Sequence, residues 1–431
     1  MSISIHARSR KAIVTGAAFL AAGALVLSGC ASSGDAPAPE ESKEPVVPGD
    51  GTTADGMLRV GTVLPITGSL AFLGPPEFAG VDLAEQEINE YFATLTEAPF
   101  EVSVEHRDSG DGETDIATNS ASELIDLDTD VVVGAASSGV SFQFIDQLIA
   151  AGVVQISPAN TSPDFTTYED GDFYWRTAPS DVIQGDALAN HILASGGTTL
   201  GIIYVNDAYG EGLAKYTSEP FEAAGGTVAA QVAYNLNETS FQSQIDEVLS
   251  AGVDSIAIIG FQESLTMLPI LLNNEGIDPS SVYLVDGNLS NFGTDIDVQA
   301  EGMSGTLPGN PAAGDFRDRL LAVDPELQDF SYAAESYDAV ILSALAAMQG
   351  GDDASVTIRD NLQSVSEGGT KCATFAECAA LLEAGTDIDY DGASGPIEFD
   401  ENGDPTRAMV GIYRYGADNT YTLETTVEGS L

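Results

Sequence analysis

The chain has 431 residues, of which 67 are Asp or Glu and only 14 are Lys or Arg, giving a formal net charge of -53. This balance excludes nucleic acid and anionic membrane surfaces as partners held by charge, because both draw on clustered Lys and Arg. Hydrophobic residues still make up 43% of the chain, enough to bury a core and unlike a disordered acidic sequence.

At the N-terminus, Arg8, Arg10 and Lys11 precede a charge-free run from Ala12 to Leu27 rich in Ala, Leu and Val, the layout of a secretory signal. The run is shorter than the roughly 20 residues a membrane-spanning helix needs. It ends in Leu27-Ser28-Gly29-Cys30, which resembles the bacterial lipobox. That resemblance implies a signal peptide over residues 1–29, removed on export, and a diacylglycerol on Cys30 that anchors the chain to the outer face of the cell membrane. Residues 30–56 are dominated by Ser, Gly, Ala, Pro, Asp and Glu and read as a flexible tether. The folded body is expected from Met57.

From Leu58 onward, short β-rich runs alternate with stretches of helical periodicity. Strands are expected at Leu58 to Leu64, Glu101 to Glu105, Val131 to Val133, Val153 to Ile156, Leu200 to Val205, Thr227 to Val232, Ser255 to Ile259 and Val282 to Val285. Helices are expected at Glu77 to Phe92, Gly139 to Ala150, Gly210 to Ala224 and Phe241 to Ala251, and again at Ala312 to Ala322 and Tyr332 to Met348. Strict alternation implies parallel sheets covered on both faces, and its length calls for two α/β lobes, divided near Ala178 and Pro179. Further on, Thr374 and Glu377 have capping-box spacing, which puts Cys378 in the first turn of a helix. With Cys30 lipidated, Cys372 and Cys378 remain in an oxidising compartment, where a small disulfide loop is expected, a pair of free thiols being the alternative.

The chemistry lies in the loops that leave the strands. Leu64 leads into Pro65-Ile66-Thr67-Gly68-Ser69, Val133 into Gly134-Ala135-Ala136-Ser137-Ser138, and Ile156 into Ser157-Pro158-Ala159-Asn160-Thr161. In the second half, Val205 leads into Asn206-Asp207-Ala208-Tyr209, Ile259 into Gly260-Phe261, and Val285 into Asp286-Gly287. Ligands of open α/β sheets sit at the carboxyl ends of strands, beside helix N-termini. Hydroxyls and backbone N–H groups there suit a carboxylate, so one lobe offers anion donors and the other offers aromatics and an acid. Any one of these loops is equally an ordinary turn or N-cap.

Several segments in order, among them Ile156-Ser157-Pro158-Ala159-Asn160-Thr161-Ser162-Pro163, Arg176-Thr177-Ala178-Pro179-Ser180-Asp181 and Tyr209-Gly210-Glu211-Gly212-Leu213-Ala214, resemble the substrate-binding lipoproteins of branched-chain amino acid type ABC importers. The resemblance implies the type I periplasmic-binding-protein fold, two doubly wound α/β lobes joined by a three-crossover hinge. Lobe 1 would then comprise residues 57–178 and 306–400, and lobe 2 residues 179–305 and 401–431. It also implies an α-carboxylate site at the Ser138 hydroxyl, the Ala159 backbone and Thr161, an ammonium partner at Asp286, and a side-chain pocket shaped by Leu73, Tyr209 and Phe261. Asp286 and Phe261 stand where many members of that family carry Glu and Tyr, which shortens the acid's arm and removes a hydroxyl. The implied activity is capture of a zwitterion, an amino acid of branched-chain or other apolar type, by a monomer that hands it to an ABC permease. A lipid-anchored sensor of an amide, urea or other small solute is the alternative.

Asp387-Ile388-Asp389-Tyr390-Asp391-Gly392, followed five residues later by Glu398, fits the EF-hand loop pattern. Pro396 and the strand-like Ile397-Glu398-Phe399 oppose the helix that such a loop needs, so no metal is expected. HExxH, GxSxG and P-loop patterns do not occur, and neither catalysis nor a cofactor is expected.

Overall fold

The computed structural model describes residues 45–431. The signal sequence, Cys30 and the first part of the tether lie outside the described residues. Residues 45–56 form no regular element, yet they are docked on the body rather than free. Gly49 N donates to Ile149 O at 2.9 Å, Thr52 N to Ser355 Oγ at 2.9 Å and Gly56 N to Asp353, while Val46 packs on the core. Low hydrophobicity suggested a tether there; long-range hydrogen bonds to the body satisfy the backbone instead.

The first lobe is built from β1 (Met57–Leu64), α1 (Gly74–Phe92), β2 (Glu101–Asp108), α2 (Ile116–Asp126), β3 (Val131–Gly134), α3 (Ser138–Ala151), β4 (Val154–Ser157) and β5 (Tyr174–Arg176). Its five strands are all parallel, in the order β2-β1-β3-β4-β5. Central strands such as β3, Val131-Val132-Val133-Gly134, are buried throughout, as a sheet covered on both faces requires.

The chain then enters the second lobe through α4 (Asp181–Ala194), β6 (Thr199–Val205), α5 (Ala208–Ala223), β7 (Thr227–Tyr234), α6 (Gln242–Ser250), β8 (Ser255–Ile259), β9 (Val282–Val285) and β10 (Ser304–Pro308). After it come α7 (Gly314–Val323), α8 (Ala333–Gly350), α9 (Ser355–Val365), β11 (Thr370–Cys372), α10 (Phe375–Glu383) and β12 (Ile388–Tyr390). The helices α7, α8 and α10 pack against α1, and α9 against α8. The helix α8 is buried almost all round, so it acts as a core element of the first lobe. Finally β13 (Arg407–Tyr415) and β14 (Tyr421–Ser430) return to the second sheet, whose order is β14-β13-β10-β9-β8-β6-β7. There β10, β13 and β14 pair antiparallel, a departure from the all-parallel expectation, and the exposed edge strand β14 carries Thr and Glu. Strand β10 stays in this sheet through Pro308, past the 305/306 boundary read from the sequence, because its backbone pairs with β13 along its whole length.

Thr374 Oγ1 accepts from Glu377 N at 3.2 Å and caps α10, and Cys372 and Cys378 are joined by a disulfide. Three connections therefore run between the sheets, after Arg176, after Pro308 and before Arg407. The first and third are tied by a buried ion pair: Arg176 Nε lies 2.5 Å from Asp404 Oδ1, with the side chains 0% and 1% exposed. Removing one partner of such a pair leaves an uncompensated buried charge, so Asp404→Ala is expected to cost about 3–5 kcal/mol in urea unfolding of the full chain. A loss below about 1 kcal/mol would mean that the carbonyls around Arg176 suffice to hold it.

Candidate functional site

Six of the residues singled out in the sequence each follow the carboxyl end of a strand. Leu73 follows β1 and precedes α1; Ser138 follows β3 and opens α3; Ala159 follows β4; Tyr209 follows β6 in the first turn of α5; Phe261 follows β8; Asp286 follows β9. All six line one small cavity between the sheets, together with Leu70, Ser137 and Tyr332. Glycine 134 makes the β3 corner possible. Its φ is +128°, and a Cβ there would lie 2.2 Å from Val63 O.

On the first-lobe side, Ser137 Oγ caps α3 by accepting from Val140 N, and Ser138 Oγ accepts from Ser162 N at 3.2 Å. The Ser138 hydroxyl proton is thus free to be given to a ligand. Ser157 Oγ gathers the following turn, accepting from Ala159 N at 3.3 Å and Asn160 N at 2.9 Å. On the second-lobe side, Asp207 caps α5 by accepting from Gly210 N at 2.8 Å, which fixes Tyr209. The Tyr209 and Phe261 rings stack, 5.5 Å apart and 13° from parallel.

Asp286 is the centre of the arrangement. Tyr209 donates its hydroxyl to Oδ1 at 2.7 Å, Gln184 Nε2 donates to the same oxygen at 2.9 Å, and Tyr332 donates to Oδ2 at 2.7 Å. Burial pushes the Asp286 carboxyl above its usual range, while these donors pull it back. Burial and the neighbouring acid push both tyrosines well above 10, which keeps them as donors. Tyr332 sits at the N-cap of α8 in the left-handed region, φ +59°, and reaches from the first lobe to the acid of the second. The Ser162 hydroxyl, donating to Ala208 O at 2.9 Å, makes a second contact between lobes.

The sequence reading missed Gln184, Tyr332 and Asp181. Gln184 lies inside α4, where a polar residue reads as a solvated face, and Tyr332 is brought to Asp286 only by the return of the chain. Asp181, in the first turn of α4, is fully buried, and neither of its oxygens has a hydrogen-bond partner. Burial first and Asp286 second push its carboxyl well above 3.8, with Thr161 offsetting part of the effect. Thr161 itself does not line the cavity; it is buried beside Asp181 with its hydroxyl unpartnered.

The cavity measures about 10 Å³. That is room for about one water, against roughly 300 Å³ or more for a typical small-molecule site. Any solute therefore enters only when the lobes part. A larger groove of about 660 Å³ runs along Leu95, Phe100, Met348 and Leu382, away from every strand-end loop of the site.

The EF-hand-like segment has another role. Its residues 388–390 are strand β12, paired with β11, and Lys371 Nζ stands 2.9 Å from both Asp389 Oδ1 and Asp391 Oδ1 and 3.7 Å from Glu398 Oε1. A lysine ammonium occupies the middle of these acids. Among the described residues, no group of three or more His, Cys, Asp or Glu could hold a metal ion.

The family model described as periplasmic binding protein matches residues 57–413. A chemotactic signal transduction system substrate-binding protein, BasB, of Halobacterium salinarum is 26% identical over 353 residues, covering 79% of this chain and 83% of that one. The leucine-, isoleucine-, valine-, threonine- and alanine-binding protein of Pseudomonas aeruginosa is 24% identical over 85% of this chain and 91% of its own. Among solved structures, the branched-chain amino acid transporter substrate binding protein LivJ of Streptococcus pneumoniae, in complex with isoleucine, superposes with a TM-score of 0.70 at 22% identity, covering 87% of this chain and 100% of that one.

Asp181 makes stability depend on pH with a definite sign. Its folded pKa is raised, so between about pH 4 and that raised value the folded state binds more protons than the unfolded one, and stability falls as pH rises. The wild type should lose up to about 1.4 kcal/mol per pH unit in that window relative to Asp181→Asn, in urea titrations across pH. Parallel stability profiles for the two proteins would refute the buried proton.

Proposed function

This chain belongs to the periplasmic binding protein family, and on that premise we propose that it captures a small zwitterion, an α-amino acid with an apolar side chain, between its lobes. In this reading the Ser138 hydroxyl, at the N-terminus of α3, and the Ala159 amide, in the turn after β4, take the carboxylate. Asp286 takes the ammonium, and Leu73, Tyr209, Phe261 and Tyr332 enclose the side chain. The observation that carries the reading is Asp286, a buried acid whose three donors leave it acceptor capacity on the wall shared with Ser138 and Ala159.

The same reading sets the cycle. The lobes part about the three connections, the solute binds, and closure restores the Tyr332 and Ser162 contacts across the cleft. The closed surface is then what an ABC permease recognises, with the chain exported as a monomer and held at the outer face of the membrane by lipidated Cys30. Members of the family compared above are named as binding proteins rather than enzymes, and no bond is made or broken in this cycle. A second reading, ligand sensing without transport, is favoured by the similarity to the Halobacterium protein, whose name places it in chemotactic signalling.

A thermal-shift panel of amino acids, amides and urea on the full chain tests the site. An apolar amino acid should raise the melting temperature. Asp286→Ala should weaken binding roughly 100-fold, as truncating one partner of a buried charge pair does, and Ser138→Ala roughly tenfold. No response to any α-amino acid, with a clear response to an amide or urea, would replace the zwitterion with the other solute.

A further inference from the structure

We propose a second binding site, in the hinge, that takes a small organic cation, a protonated primary amine with a short apolar body. A cavity of about 190 Å³ lies where the three connections meet: Pro179 borders it from the first, Gly309 from the second and Pro405 from the third. It shares no residue with the cleft cavity.

Glu335, in the first turn of α8, forms part of its wall. That side chain is 2% exposed and its Oε1 has no hydrogen-bond partner. A buried acceptor without a donor is costly, and burial pushes this carboxyl up to about 8. Gly309 lets Oε1 pack closely against the second connection. A Cβ there would lie 1.9 Å from that oxygen, and its φ of +88° is one that other residues rarely adopt.

The rest of the wall selects the ligand. Arg407 also lines the wall, but its guanidinium is held away by Glu398, Nη2 lying 2.7 Å from Oε2, and the second acid on the wall is Glu428. Pro179, Ile397 and Met409 are apolar. Apolar walls with an orphaned carboxylate oxygen suit an ammonium donor carrying a few methylenes, and the volume exceeds that of several waters. Because every connection contributes to the wall, an occupant braces the hinge in the arrangement seen here. The effect has a short route to the cleft, since Glu335 lies three residues beyond Tyr332, the donor to Asp286.

The probe is n-butylammonium chloride at about 10 mM and about pH 8, added to the full chain, with 1-butanol and sodium chloride as controls. The wild type and Asp286→Asn should both gain about 2 °C in melting temperature from the amine alone, the shift expected at roughly tenfold the dissociation constant. Glu335→Gln should gain nothing. Met409→Trp, which bulks the cavity wall on the face shared with Glu428 and leaves Glu335 in place, should also gain nothing and carries the test if Glu335→Gln does not fold. An unchanged rise in Glu335→Gln or in Met409→Trp, no rise in the wild type, or loss of the rise in Asp286→Asn would overturn the proposal. The last outcome would put the amine in the cleft.

Discussion

The ion pair between Arg176 and Asp404 is the constraint on which the rest of the molecule depends. Arg176 leaves the last strand of the first sheet, and Asp404 precedes the first strand of the returning segment. The guanidinium also donates to Ser162 O at 2.7 Å, and Thr166 donates to Asp404 Oδ2 at 2.6 Å. One buried cation therefore fixes two of the three connections and the turn that carries Ala159 and Thr161. A pair so fully desolvated contributes little net stability against an apolar replacement, but it tolerates only one geometry. In the proposed cycle, it would let the lobes rotate while the base of the cleft stays in register with the hinge.

From this fixed base the cleft acts as a balance of hydrogen bonds. Asp286 cannot be left without donors in so dry a place. In the closed form Tyr209, Gln184 and Tyr332 supply them, and one of the three, Tyr332, comes from the opposite lobe. Parting the lobes removes that donor and wets the acid. In the proposed capture, a ligand ammonium would offer the acid a stronger, charge-assisted donor as closure dries the site again. The free closed state and the loaded state thus compete for the same carboxylate, and affinity is reduced by whatever fraction of the free protein is closed.

Much of this was legible in the sequence because strand-to-helix corners are local events. Ser138, Ala159, Tyr209, Phe261 and Asp286 each sit within a few residues of a buried β-run, and the fold brings corners of that kind together. Thr161 lies only two residues beyond Ala159, yet the turn buries its hydroxyl near Asp181, unpartnered, instead of on the cavity wall. What was illegible depends on pairings distant in the chain. Tyr332 and Gln184 reach Asp286 across 46 and 102 residues, and no periodicity announces either. The EF-hand-like motif shows the opposite case: Pro396 and the strand-like Ile397-Glu398-Phe399 already argued against it in the sequence, and the structure adds Lys371, from the neighbouring strand, among its acids. The edge strands β13 and β14 escaped for a related reason: exposed Thr and Glu along β14 hide the alternation that marks a strand.

The charge that opened the sequence bears on the ligand through the same electrostatics. Bases are few, and those inside or at the seams are spoken for: Arg176 by Asp404, Lys371 by Asp389 and Asp391, Arg407 by Glu398, Arg414 by Glu424. A net charge of -53 then acts on an approaching solute largely uncompensated by local cations. An anion is repelled before it reaches the Ser138 corner, whereas a zwitterion carries no net charge and a cation is drawn in. Salt shortens this field to about 10 Å at 0.1 M and less above it, so discrimination at a distance fades with ionic strength while the buried carboxylates keep theirs. In the proposed capture, selection for a zwitterion would therefore rest on Asp286 and the Ser138 corner acting together, because the surface alone would favour any cation.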